Sequence, residues 1–257
     1  MGMIKKPFGV AGDPFGQIAT NYRDFRPTYP KELVRHLSQL APNRERAWDC
    51  ATGTGQVAIE LANHFDRVLA TDISPEQIAA AKPIPGVDFQ LCPAEQSGIE
   101  DRTIALITVA QALHWFKTDE FFREAKRVLT PQGILAIWTY GPLLVEGQPA
   151  NDIVQNFYHT IVGPYWPDGR EHVDSGYAAI AMPFSTSLNL PSFEMTQEWQ
   201  LPDLMGYIST WSAVVNYKRE NAQNPLQQLG EQLEKVWSKE EKRKISWPLT
   251  IRAGRFD

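Results

Sequence analysis

Two carboxylates bracket a pair of glycines early in this chain. The run Arg46-Ala47-Trp48-Asp49-Cys50-Ala51-Thr52-Gly53-Thr54-Gly55-Gln56-Val57-Ala58 reads as a short apolar strand ending at Asp49, a tight turn through the glycines, and a helix opening over Val57 to Ala62. Glycine tolerates positive φ in such a turn and lets a ligand lie against the backbone. The helix start presents unpaired N–H groups and about half a positive charge to the crevice. Asp72 closes a second apolar strand, Arg67 to Thr71, at the roughly 20-residue spacing at which a carboxylate accepts from both hydroxyls of a ribose. These residue types in this order suit the holding of a nucleoside-type cofactor.

Two ligands fit that description. Gly53, Gly55 and Ala58 satisfy the dinucleotide fingerprint, whose third position admits alanine, so NAD is one reading and an oxidoreductase its consequence. Asp49 argues for the other. A carboxylate at the strand end would repel a pyrophosphate and favour a cationic, phosphate-free ligand such as S-adenosylmethionine. A protein that binds this cofactor without turnover is a third reading.

A second group of residues follows the strand Ile104 to Ala110, which delivers Gln111, His114 and Trp115 to the same end of the sheet. His114, with an ordinary pKa near 6.5, is the candidate base for a hydroxyl acceptor. A carboxylate acceptor is ionised at pH 7 and needs only a cation, for which Arg23, Arg26, Arg170 and Arg219 are candidates. Tyr158, Tyr165, Trp166, Tyr177, Phe184, Tyr207 and Trp211 give the second half an aromatic content that suits a pocket for a planar or apolar acceptor.

The elements that must position these groups alternate strand and helix. Strands at 46–49, 67–72, 87–91, 104–110 and 134–140 are separated by helical patterns, including one capped by Ser74 with Pro75 at its first position. Such alternation predicts a parallel sheet with helices on both faces and a ligand at the carboxyl ends of the strands. Residues 193–199 and 244–251 read as late strands, the latter placed at an edge or on a bulge by Pro248. Irregular segments at 15–30 and 150–190 are expected to form a lid over one folded unit spanning 1–257.

The bulk composition agrees. With 257 residues, 43% apolar and 21% charged, the chain buries a full core, and a net charge of −5 argues against a nucleic-acid partner. Two cysteines, Cys50 and Cys92, supply neither a disulfide framework nor a metal-ligand set. No apolar run has the length of a signal peptide or membrane span. A cytoplasmic monomer or homodimer acting on a small molecule is expected.

The residues from Tyr22 to Tyr140 resemble a known family, the class I S-adenosylmethionine-dependent methyltransferases of the small-molecule type near the trans-aconitate and quinone-biosynthesis enzymes. The matching pieces are Tyr22-Arg23-x-x-Arg26-Pro27-x-Tyr29-Pro30, Asp49-x-Ala51-x-Gly53-x-Gly55, Asp72 with Pro93-Ala94-Glu95, and Ala110 to Phe116 followed by Leu129-Thr130-Pro131-Gln132-Gly133. The resemblance implies a Rossmann-like, doubly wound, seven-stranded sheet with an antiparallel last strand. It implies S-adenosylmethionine as cofactor, with Asp49 and the Gly53 and Gly55 backbone near the methionine moiety, Asp72 on the ribose, Ala94 on the adenine edge and Gln111 beside the sulfonium. Tyr22, Arg26, Ala51, Ile73, Glu95 and Ala110 complete the cofactor set, and Trp115, Tyr177 and Arg170 are the candidate acceptor-binding residues. Ala51 replaces the usual first glycine, tolerable with negative φ, and Pro93 stands where many relatives carry a polar residue.

Overall fold

In the computed structural model of the protein, residues 27–257 are described. The first half alternates as α1 Lys31–Leu40, β1 Arg46–Cys50, α2 Gln56–Leu61, β2 Arg67–Asp72, α3 Pro75–Ala80, β3 Val87–Leu91, β4 Ile104–Ala110, α4 Thr118–Val128 and β5 Leu129–Tyr140. The second half adds β6 Leu144–Val145, α5 Gln148–Asn156, α6 Arg170–Asp174, β7 Thr186–Ser187, β8 Met195–Trp199, α7 Leu201–Ser209, α8 Ser212–Asn221, α9 Pro225–Leu233, β9 Arg243–Trp247 and β10 Leu249–Arg255.

Seven strands form the main sheet in the order β3-β2-β1-β4-β5-β10-β7. The first five are parallel, and β10 runs antiparallel to both β5 and β7. This is the Rossmann-like arrangement, with strand order reversing between β1 and β4, where open sheets of this kind leave a crevice. Every residue of β4 from Ile104 to Val109 is buried, as a central strand covered on both faces requires.

The strand pleat sorts side chains to two layers. Trp48, Ile107, Val109, Leu135 and Ile137 pack with Phe121, Phe122, Ala125 and Val128 of α4. Ala47, Leu106, Ala136 and Trp138 pack on the other face with Leu33, Val34 and Leu37 of α1 and Val57, Ala58 and Leu61 of α2. Each large side chain so buried contributes about 1.5–3 kcal/mol. The layers hold the carboxyl ends of β1, β2 and β4 side by side.

The late strands depart from expectation. Residues 195–199 do form a strand, but in a separate three-stranded sheet ordered β6-β9-β8. The predicted strand over 244–251 divides at Pro248, with β9 central in the small sheet and β10 inside the main one. Proline has no N–H for a ladder, so the chain quits one sheet at Pro248 and joins the other immediately after it. The Pro248 carbonyl accepts from Gly141 N–H at 3.0 Å. The seventh strand of the main sheet is the two-residue β7, so residues 186–187 are sheet and not lid.

Tyr22 and Arg26 lie outside the described residues, as does most of 15–30. The described end of that segment is anchored. Gln56 Nε2 donates to Pro27 O at 3.3 Å, and the Tyr29 ring meets Trp138 edge-on at 5.6 Å. Among the described residues no helix is long and apolar enough to cross a membrane.

Candidate active site

The turn after β1 is built from left-handed residues, with φ of 56° at Ala51, 57° at Gly53 and 91° at Gly55. At Gly55 glycine is required twice over, because a Cβ there would also lie 2.7 Å from the Phe89 ring. At Gly53 the requirement is conformational alone, since a Cβ would meet only Gln77 Oε1 at 3.6 Å. Ala51 corrects the expectation of negative φ. An L-residue held there costs about 1–2 kcal/mol, partly offset by alanine's smaller entropy loss and its partly buried methyl. Ala51→Gly is therefore expected to raise stability by about 0.5 kcal/mol, read from the urea midpoint at unchanged slope. A lower midpoint would show that the turn relaxes in solution.

Asp72 and Asp49 play different parts. Asp72 is half-buried at the end of β2; its Oδ2 accepts from Gly53 N–H at 2.8 Å and its Oδ1 from Ser74 N–H at 2.9 Å. Each carboxylate oxygen keeps further acceptor capacity, which suits a vicinal diol. Asp49 is 1% exposed and turned beneath the elbow instead of into the crevice. Its Oδ2 accepts from Thr52 Oγ1 at 2.5 Å and Ala58 N–H at 3.1 Å, and its Oδ1 from Thr108 Oγ1 at 2.8 Å. It thus caps an orphan donor of α2 and fixes the turn from below. Burial pushes its pKa up to about 6, with the two threonine hydroxyls working against that rise. The expectation that Asp49 faces the cofactor is corrected, and its repulsion of a pyrophosphate no longer separates the two ligand readings.

Beside Asp72 lie two exposed apolar side chains, Ile73 at 73% and Leu91 at 59%. Asp72 and Leu91 are in register across β2 and β3, so the pair offers apolar surface next to the diol acceptor. Sequence reasoning missed Leu91, whose only signal was an apolar residue at a strand end. Ala94 is buried and packs into the core. Glu95 Oε1 accepts from Lys117 N–H at 2.9 Å, which ties the 93–96 loop to the start of α4.

Gln111 follows Ala110 at the tip of β4, again with positive φ, 56°. Its own N–H donates to Trp138 O at 2.9 Å. Its Oε1 accepts from Thr139 Oγ1 and from Tyr140 N–H, and its Nε2 donates to Tyr140 O. The amide is therefore oriented by the N–H and carbonyl of Tyr140 together with the Thr139 hydroxyl. Ala51 and Gln111, both strained, end neighbouring strands, and strain of this kind persists only where the surroundings enforce it.

A cavity of about 210 Å³ opens beside Gln111, bounded by His114, Trp115, Tyr158, Trp166, Arg170 and Trp211 among others. Tyr177 is not on its wall. It is 1% exposed, sits behind His114 with its Oη 3.1 Å from Nδ1, and has its carbonyl held by Arg252 Nη1 at 2.7 Å. Tyr177 thus positions His114, which corrects its placement among acceptor-binding residues. Burial, then the charges of Arg170 and His172, push the His114 pKa down to about 4. The imidazole is neutral at pH 7, but a far weaker base than its ordinary value implies.

Comparison with known proteins bears on what this crevice serves. Residues 48–137 match the family model described as a methyltransferase domain. A putative methyltransferase of Dictyostelium discoideum is 32% identical over 228 residues, covering 88% of this chain and 86% of its own. The structure of a putative type II methyltransferase from Anaeromyxobacter dehalogenans superposes with a TM-score of 0.84 at 38% identity, covering 90% of this chain and 98% of that one. The [4+2]-cyclase SpnF, 14% identical with a TM-score of 0.51 over 95% of each chain, shares the fold alone. The long, well-identified matches settle what the elbow could not, and the chain belongs to the class I S-adenosylmethionine-dependent methyltransferases.

Proposed function

We propose that the protein transfers the methyl group of S-adenosylmethionine to an oxygen of a small organic acid or aromatic metabolite held in the cavity beside Gln111. The observation that supports this reading is adjacency: Gln111 ends the strand next to the glycine elbow and is also a wall of the aromatic cavity.

The residues present fit the cofactor. Asp72 supplies acceptors for two hydroxyls, Ile73 and Leu91 supply apolar surface for a purine, and Gly53 keeps the backbone approachable. When bound, S-adenosylmethionine brings a methyl group already activated on a sulfonium. The chain's own task is then alignment and exclusion of water, effects that reach about 7–11 kcal/mol when reacting atoms are well placed. Gln111, fixed by Thr139 and Tyr140, holds one end of that alignment, and the ring-lined cavity holds the other. Residues 1–257 act in this reading as one domain, with part of 150–190 outside β7 closing over the acceptor.

A carboxylate acceptor needs no base and is the one this cleft serves without help. A hydroxyl would have to give its proton to His114, uphill from a pKa of about 4. The test is transfer of labelled methyl from S-adenosylmethionine to a panel of organic acids, hydroxy acids and phenols. His114 stays neutral above its low pKa and Asp49 ionised above about 6. The rate on an acid is therefore expected to be flat between about pH 7 and 9. NADH binding without any response to S-adenosylmethionine would remove the reading.

A further inference from the structure

The geometry points to Arg170 as the anchor for an anionic group of the acceptor, a carboxylate on a planar body, distinct from the oxygen that is methylated. The inference rests on the cavity being the acceptor site, as proposed above.

Arg170 opens α6 and lines the cavity with Tyr158, Trp166 and Trp211. It is held by one edge only. Nε donates to Tyr158 Oη at 2.7 Å and to Asp174 Oδ1 at 3.0 Å, and Tyr158 Oη lies 2.8 and 3.1 Å from the two Asp174 oxygens. The guanidinium carbon sits over the Trp166 ring, 4.4 Å from its centre. Among the described residues Nη1 and Nη2 have no hydrogen-bond partner, so the fork that grips a carboxylate bidentately is the part left open. The side chain is 23% exposed, a setting in which a bound anion would be largely desolvated and its attraction strengthened.

The local backbone is itself unusual. Tyr158, which braces Arg170, lies on a π-helical turn, Phe157–Ile161, a rare geometry that recurs at functional sites. The rings of Trp166 and Trp211, 5.6 Å apart, present flat apolar surface in the same cavity.

A carboxylate gripped there is a poor methyl acceptor. Esterification would cancel its charge and leave a partly buried guanidinium facing a neutral group, so the pairing weakens toward the transition state and opposes transfer. Arg170 therefore fixes one end of the acceptor and leaves a second group to react at the Gln111 end.

Benzoate and benzamide, alike in shape and different in charge, test this on the full chain with S-adenosylhomocysteine bound, using tryptophan emission from Trp115, Trp166 and Trp211 as the readout. Benzoate is expected to bind the wild type at least tenfold tighter than benzamide, with that preference lost in Arg170→Gln. Arg170→Lys keeps a cation without the fork, should lose at least fivefold, and carries the test if the glutamine variant unfolds. Benzoate, lacking a second reactive group, is expected to bind without being methylated. Equal binding of the two probes, an undiminished preference in both variants, or labelled methyl benzoate would overturn the proposal. A wild type that fails to bind S-adenosylhomocysteine would instead sink the methyl-transfer reading.

Discussion

Asp72→Ala is expected to weaken S-adenosylmethionine binding at least a hundredfold while the protein stays folded. Hydrogen bonds to a charged acceptor are worth about 1.5–3 kcal/mol each, and two ribose hydroxyls would lose theirs together. Their sum is at least about 3 kcal/mol, or two powers of ten in affinity. Asp72 also pins Gly53 N–H and Ser74 N–H to one carboxylate, so its removal frees the elbow from the turn that starts α3. Asp72→Asn keeps an acceptor oxygen and should fall between the two. Calorimetric titration with S-adenosylhomocysteine, beside thermal unfolding of each variant, checks the claim. An alanine variant within threefold of wild type would mean that this carboxylate does not touch the nucleoside.

The second large effect is on the fold. Gly55→Ala must place a methyl group 2.7 Å from the Phe89 ring on a residue whose φ is 91°. The conformational term costs about 1–2 kcal/mol and the overlap about 1–3 kcal/mol more. A loss of about 3 kcal/mol corresponds, in a protein of this size, to a fall of about 6–12 °C in Tm. Gly55→Ala combined with Phe89→Leu separates the causes, because the smaller side chain relieves the overlap and leaves the backbone strain. Partial recovery is expected. No fall in the single variant would show that β3 swings away from the elbow at little cost.

The contrast between these carboxylates shows what sequence could and could not convey. Asp72 was legible because strand, spacing and role are all local. Asp49 had the same local signature, yet one of the three groups that hold it is Thr108, 59 residues away, whose hydroxyl waits on the adjoining strand. Tyr177 looked like a pocket aromatic for the same reason, and only its contact with His114, 63 residues distant, places it behind the wall. Strand β7 has two residues and therefore no period to read. The π-helical turn at Phe157–Ile161 has no compositional mark, so nothing set it apart within the irregular 150–190 segment. At Pro248 the rule was right that the ladder must be interrupted there. The chain satisfies it by changing sheets, which a single sequence does not announce.

That change of sheets bears on how the protein is made. β9 is the middle strand of the small sheet and β10 is flanked by β5 and β7 in the large one, so both sheets wait for the segment Arg243–Arg255. On the ribosome, β5 emerges more than a hundred residues before its antiparallel partner, with Ile251 destined for Trp138 and Ala253 for Ala136. Until then one edge of a largely apolar strand stays open, a condition that favours chaperone capture and mispairing of nascent chains.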